Sequence, residues 1–170
     1  VGSEERRIVD GVLGEAVAPR LKALAFRKAG PRSWIYRSGA VAQSVRGLGS
    51  RMGDRFTIEL GLWYADIDPP MEGTSPAYFP RRERIGHVIG RDDLWWQLLS
   101  DEDVPALTKR VGEAWSLAEP WLMACREPRG LAEWHERNGW QIPAGRIYLA
   151  LGDMERARRL ADGDLARLSE

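Results

Sequence analysis

Arg84, His87, Asp92, Asp93, Trp95 and Trp96 bring a guanidinium, an imidazole, two carboxylates and two indoles into one short stretch. Side chains of these types could line a binding pocket, with the indole as an apolar wall and the charges fixing a ligand's orientation. Spacing limits what they can do together. Positions 84 and 87 differ by three, so in an unbroken strand Arg84 and His87 face opposite sides. They share a pocket only if Gly86 bends or bulges the strand. The adjacent indoles also diverge in an extended segment, so one is expected in the core and the other beside a groove. Burial of both in different packing layers is the competing expectation.

Other chemistries find less support. Gly47, Gly49 and Gly53 have the look of a phosphate loop, but they sit between two strands and no lysine of the phosphate-binding type follows. Metal ligation could draw on His87, Cys125, His135, Asp66 or Asp68, yet no Cys-x-x-Cys or His-x-x-x-His spacing is present. Asp66 and Asp68 precede Pro69-Pro70 and are expected at a solvated loop entrance. Cys125, the single cysteine, lies among apolar neighbours as an inert core thiol would. No Gly-x-Ser-x-Gly elbow occurs. The residues therefore nominate no catalytic group, metal or cofactor.

Charge is unevenly distributed. The chain has 25 basic and 25 acidic residues, but Arg20–Arg55 holds nine basic residues against Asp54 alone. Arg46, Arg51 and Arg55 are the candidates for a basic surface that would select an acidic partner. Arginine outnumbers lysine 22 to 3, which codon usage could also produce. Trp34 and Tyr36 could stack on bases from this region. A pI near 6.9 and the lack of a nucleic-acid motif argue against that partner.

The elements that must position these residues follow from periodicity. Ile8, Val9, Val12, Leu13, Val17, Leu21 and Leu24 predict an N-terminal helix capped by Ser3, kinked or divided at Pro19 and stopped at Gly30-Pro31. Alternation then predicts three antiparallel strands: around Trp34 and Tyr36, over Val41–Val45, and from Phe56 to Tyr64. The second is expected to end in a Gly47–Ser50 loop. A long loop spans Asp66–Pro80, and Ile85, His87 and Ile89 predict a fourth strand. Helices complete the chain: one capped by Asp103, another starting at Pro120, a short one over Leu131–Arg137, and a hairpin of Ile147–Leu151 and Met154–Leu168. That hairpin resembles half of a tetratricopeptide-type unit. With no second copy present, it is expected to pack on the sheet. Strands first and helices afterwards make an α+β fold, a sheet of about four strands between an N-terminal helix and a C-terminal helical region. At 170 residues the chain is one domain.

The run Arg84-Ile85-Gly86-His87, followed by Asp93-Leu94-Trp95-Trp96, resembles the central signature of the bacterial domain-of-unknown-function 4304 family. Further matches come in order: Trp34-Ile35-Tyr36-Arg37, Gln43-Ser44, Phe56 to Gly61, Glu119-Pro120-Trp121-Leu122, and Leu149 to Asp153 with Ala157. Ala25 departs from the glycine the family tends to carry before the phenylalanine, so the first helix is expected to end differently here. The resemblance implies an α+β domain of the bacterial cytoplasm and carries no known catalytic residues. No apolar run approaches the ~18 residues of a spanning helix, and the first residues lack the apolar stretch of a secretory signal. The expected function is a non-enzymatic protein that recognises another protein, as a monomer or weak dimer. The alternative is a small-ligand binder or enzyme with a pocket around Arg84, His87, Trp95 and Trp96.

Overall fold

In the computed structural model, residues 3–70, 78–98 and 103–167 are described. The Ser3 side chain, Leu168 and residues 71–77 of the long loop lie outside them. Helix α1 (Ser3–Ala16) buries Val9, Val12 and Leu13. The chain divides at Val17, and Pro19 falls in the first turn of α2 (Ala18–Ala23), where a missing N–H costs nothing. The helix does not run on to Gly30-Pro31. Ala25 takes a left-handed backbone, φ +65°, and β1 (Arg27–Gly30) follows at once.

Strands β2 (Ser33–Ser38), β3 (Val41–Gly49) and β4 (Arg55–Tyr64) form the expected meander. The glycine loop does not start at Gly47. Gly47, Leu48 and Gly49 stay in the ladder opposite Ile58, Thr57 and Phe56. A Cβ at Gly47 would overlap the Leu13 side chain, so glycine there lets α1 approach the sheet. The turn comes at residues 50–54, where the Ser50 hydroxyl donates to Asp54 (2.6 Å).

The fourth strand is displaced from its expected place. β5 is Arg81–Arg84, while Ile85–Val88 form a single helical turn, α3. Ile85 and Val88, three apart, both enter the core, and His87 points outward. A two-residue strand, β6 (Trp96–Gln97), then pairs with the start of β4. The described strands make a six-stranded antiparallel sheet of order β1-β2-β3-β4-β5, with β6 beside β4.

Helix α4 (Val104–Ala124) is capped by Asp103, which accepts from the Ala106 N–H (3.2 Å). No new helix begins at Pro120, which lies inside α4. A continuous buried stripe from Leu107 through Trp115 to Leu122 holds the helix together across the missing donor. The sheet caps its far end: Gln43 Nε2 donates to the Leu122 carbonyl (2.6 Å) and Tyr64 Oη to that of Cys125 (2.7 Å). Helices α5 (Pro128–Arg137), α6 (Gln141–Ala150) and α7 (Met154–Arg167) complete the order. The α6–α7 hairpin is tied to α5 rather than to the sheet. Glu136 accepts from Tyr148 (3.1 Å), Arg156 (3.0 Å) and Arg159 (3.1 Å). One core runs from α1 through the inner sheet face, with Phe56, Ile58, Leu60, Leu62 and Tyr64, to Leu160 of α7.

Candidate functional site

Alternation along β4 places Arg55, Thr57, Glu59, Gly61 and Trp63 on the face opposite the core. The register carries that face sideways: Ser33 lies opposite Arg46, Arg46 opposite Glu59, and Glu59 opposite Arg84. Arg46 Nη2 donates to Glu59 Oε1 (2.7 Å). This outer face stays half-open. Ile35, Arg46, Glu59, Trp63 and Arg84 are half-buried, and Arg37, Arg55 and Arg82 are exposed. Phe79, from the segment before β5, lies on Gly61, where a Cβ would meet the phenylalanine Cβ at 2.9 Å.

Trp95 reaches the same face. α3 folds back through Gly90 (φ +71°), and the chain passes so close to Gly86 that a Cβ there would collide with the Asp92 carbonyl oxygen and lie 2.6 Å from the Leu94 nitrogen. Glycine is required by that approach. The neighbouring indoles then part as the alternation demands. Trp96 is buried against Phe56, ring centroids 5.2 Å apart, and Trp95 stays partly exposed. Its ring lies between two guanidinium groups, 5.1 Å from Arg84 and 5.2 Å from Arg55. Asp93 fixes the arrangement by accepting from Trp95 Nε1 (2.9 Å) and from Arg84. On the same face Thr57 is fully buried, with an Oγ1 that has no partner among the described residues.

Of the residues nominated from sequence, Arg84, Asp93, Trp95 and Arg55 converge. His87 does not join them: exposed, its Nδ1 lies 3.4 Å from Glu83 Oε2. Burial raises the Glu83 carboxyl, with the His87 hydrogen bond opposing it. Asp92 contributes its backbone to the turn over Gly86, and Trp96 belongs to the core. Arg46 is occupied by Glu59, and Arg51 stands exposed in the β3–β4 turn. The basic segment as a whole is partly neutralised in space, because Arg20 pairs with Glu119 (2.7 Å) and Arg32 with Asp10 (2.5 Å). Trp34 is buried and Tyr36 packs on Phe26, so neither is presented for stacking on a base.

Beside Trp95 and Trp96 runs a groove of about 560 Å³, walled by Ile89, Leu94 and Leu117 and edged by Arg91 and Glu113. Elsewhere the reactive side chains are put to structural use. The buried Cys125 thiol is pushed well up by desolvation, which suppresses the nucleophilic thiolate. Asp68 is not at a solvated loop entrance. Its side chain is nearly buried, accepting from the Tyr64 N–H (2.9 Å) and pairing with Arg81 (2.8 Å). Burial, with Arg81 nearby, pulls His135 down to about 4, so it is neutral near pH 7. Its ring packs 5.2 Å from Trp134 and 5.4 Å from Trp140. No group of three or more His, Cys, Asp or Glu side chains is placed to hold a metal ion among the described residues.

Sequence reasoning missed Glu59 and Thr57 as parts of this face. The alternation of β4 already set them beside Arg55; what was lacking was the position of β5, which brings Arg84 opposite Glu59. The family described as a domain of unknown function (DUF4304) matches residues 17–124, from the start of α2 to the end of α4. The sheet and the Trp95 cluster lie inside the match, and α5–α7 lie beyond it. No curated protein and no solved structure matches the chain.

Proposed function

The chain belongs to the DUF4304 family, and from its geometry we propose a non-catalytic binding protein that recognises a protein partner with the outer face of its sheet. One observation carries this reading: Trp95 is held between Arg55 and Arg84 on a half-open face, with Asp93 locking both the indole and one arginine. Tryptophan and arginine dominate the energetics of protein interfaces, and a side chain already fixed loses little entropy on binding. Arg55 stands exposed beside it, and Arg37 and Arg82 are exposed elsewhere on the same face, which favours an acidic partner surface. The reading places the protein in the bacterial cytoplasm, in keeping with its single unpaired cysteine. The groove beside Trp95 and Trp96 supports a second reading, a small ligand gripped between Leu94, Leu117 and the indoles.

Affinity capture from the source cells tests the two together. Trp95→Ala and Arg84→Glu should each reduce recovery of a specific protein at least tenfold while the far-UV spectrum is retained. Leu117→Ala should leave that recovery unchanged. Recovery unaffected by Trp95→Ala and Arg84→Glu, together with a small molecule co-purifying with wild type and lost with Leu117→Ala, would favour the groove.

A further inference from the structure

We propose that the groove between α6 and α7 is a docking site for an acidic amphipathic helix of a partner protein. This surface is separate from the outer sheet face and stands without it. The starting point is a mismatch in α6. Successive residues rotate about 100° around a helix, so Ala144, Ile147 and Tyr148 share one side and Ile142, Gly145 and Leu149 share the opposite side. The first side is buried against the body of the protein. The second is open, with Ile142 at 56% and Leu149 at 54% exposure. A helix apolar on both sides is normally covered on both. α7 repeats the pattern, setting Met154 (53% exposed) and Ala157 against the same opening. Together the two helices enclose an apolar groove of about 350 Å³.

A stack of helical hairpins ordinarily ends in a polar face, because the last hairpin has no neighbour to cover it. Here the last described hairpin ends in an apolar trough, and the charge at its rim indicates what fills it. Arg146 and Arg158 border the groove, both exposed, and neither has an ion-pair partner among the described residues. Arg156 and Arg159, on the other side of α7, are already occupied by Glu136. A second copy docked on a two-fold axis would set these free arginines against their own counterparts, which disfavours self-association. A helix with an apolar stripe and flanking glutamates fills the trough and neutralises its rim.

The test uses the full chain and two synthetic 18-residue helical peptides that share one leucine stripe. One peptide has glutamates flanking the stripe, and its twin has lysines. Fluorescence anisotropy should show the glutamate peptide binding at micromolar concentration and the lysine twin at least tenfold more weakly. Leu149→Glu should abolish binding, and the Arg146→Glu/Arg158→Glu double variant should reverse the preference between the peptides. All three positions are exposed, so unchanged thermal melting verifies the fold. Equal affinity for the two peptides, binding to neither, or a dimer in sedimentation that Leu149→Glu dissociates would each overturn the proposal. Loss of the outer-face reading leaves this experiment untouched, since Trp95 takes no part in it.

Discussion

Ala25 sits at φ +65° after α2, where the Ala25 N–H donates to the Lys22 carbonyl (3.1 Å) and the Phe26 N–H to that of Leu21 (2.9 Å). These two bonds define a Schellman cap, whose left-handed residue is ordinarily glycine. An L residue there is strained by ~1 kcal/mol, and glycine loses a part of that gain through its freer unfolded chain. Ala25 is exposed, so no packing is lost on removing its methyl. Ala25→Gly should therefore raise stability by about 0.5 kcal/mol or less in a urea titration at unchanged m-value. A destabilised variant would show that the cap is not holding the end of α2. The departure at this position was visible in the sequence, because the resembling family tends to carry glycine there. The expectation drawn from it, that the helix ends differently without glycine, is not met: Ala25 itself takes the left-handed conformation of the cap.

At the scale of elements, Gly86 decides whether the Trp95 cluster exists. The α3 turn brings the Asp92–Leu94 backbone against it, and that approach directs Asp93 and Trp95 to the outer face. Gly86→Ala would force the backbone apart, so a loss of more than ~2 kcal/mol is expected, in the range of overpacked sites. The Trp95 contribution to the fluorescence should also shift as the indole leaves its arginines. Unchanged stability with an unchanged spectrum would contradict this role. The same segment shows why β5 was misplaced. Ile85, His87 and Ile89 fit a strand, while Ile85, Val88 and Ile89 fit a helical turn equally well. The true strand, Arg81–Arg84, is wholly charged and lies at the sheet margin, so it has no hydrophobic alternation to read. β4, buried on its inner face along its length, was legible to within one residue: expected from Phe56 to Tyr64, it runs Arg55–Tyr64. The Pro120 break failed for a related reason: a local breaker signal lost to a stripe of buried residues spanning the whole of α4.

For the molecule as a whole, the division of labour follows from how the layers are covered. α1, α2 and α4 contribute with the inner sheet face to one core, and α5 links the α6–α7 hairpin to it. The outer face is left half-open, with Arg37, Arg55 and Arg82 exposed on it and Trp95 held by Arg55 and Arg84. The sequence held half of that site, since Arg84, Asp93, Trp95 and Arg55 were each singled out from it. Their convergence depended on register, which links Arg46, Glu59 and Arg84 across three strands and has no local signature. The claim that this face meets a protein is tested most directly by photo-crosslinking in the source cells. A benzophenone amino acid replaces Arg82 or Arg37 on the outer face, and Lys109, exposed on α4, as the control. One defined protein adduct is expected from positions 82 and 37, lost on adding Arg84→Glu, and none from position 109. Adducts confined to position 109, or adducts at 82 and 37 that persist with Arg84→Glu, would contradict that claim.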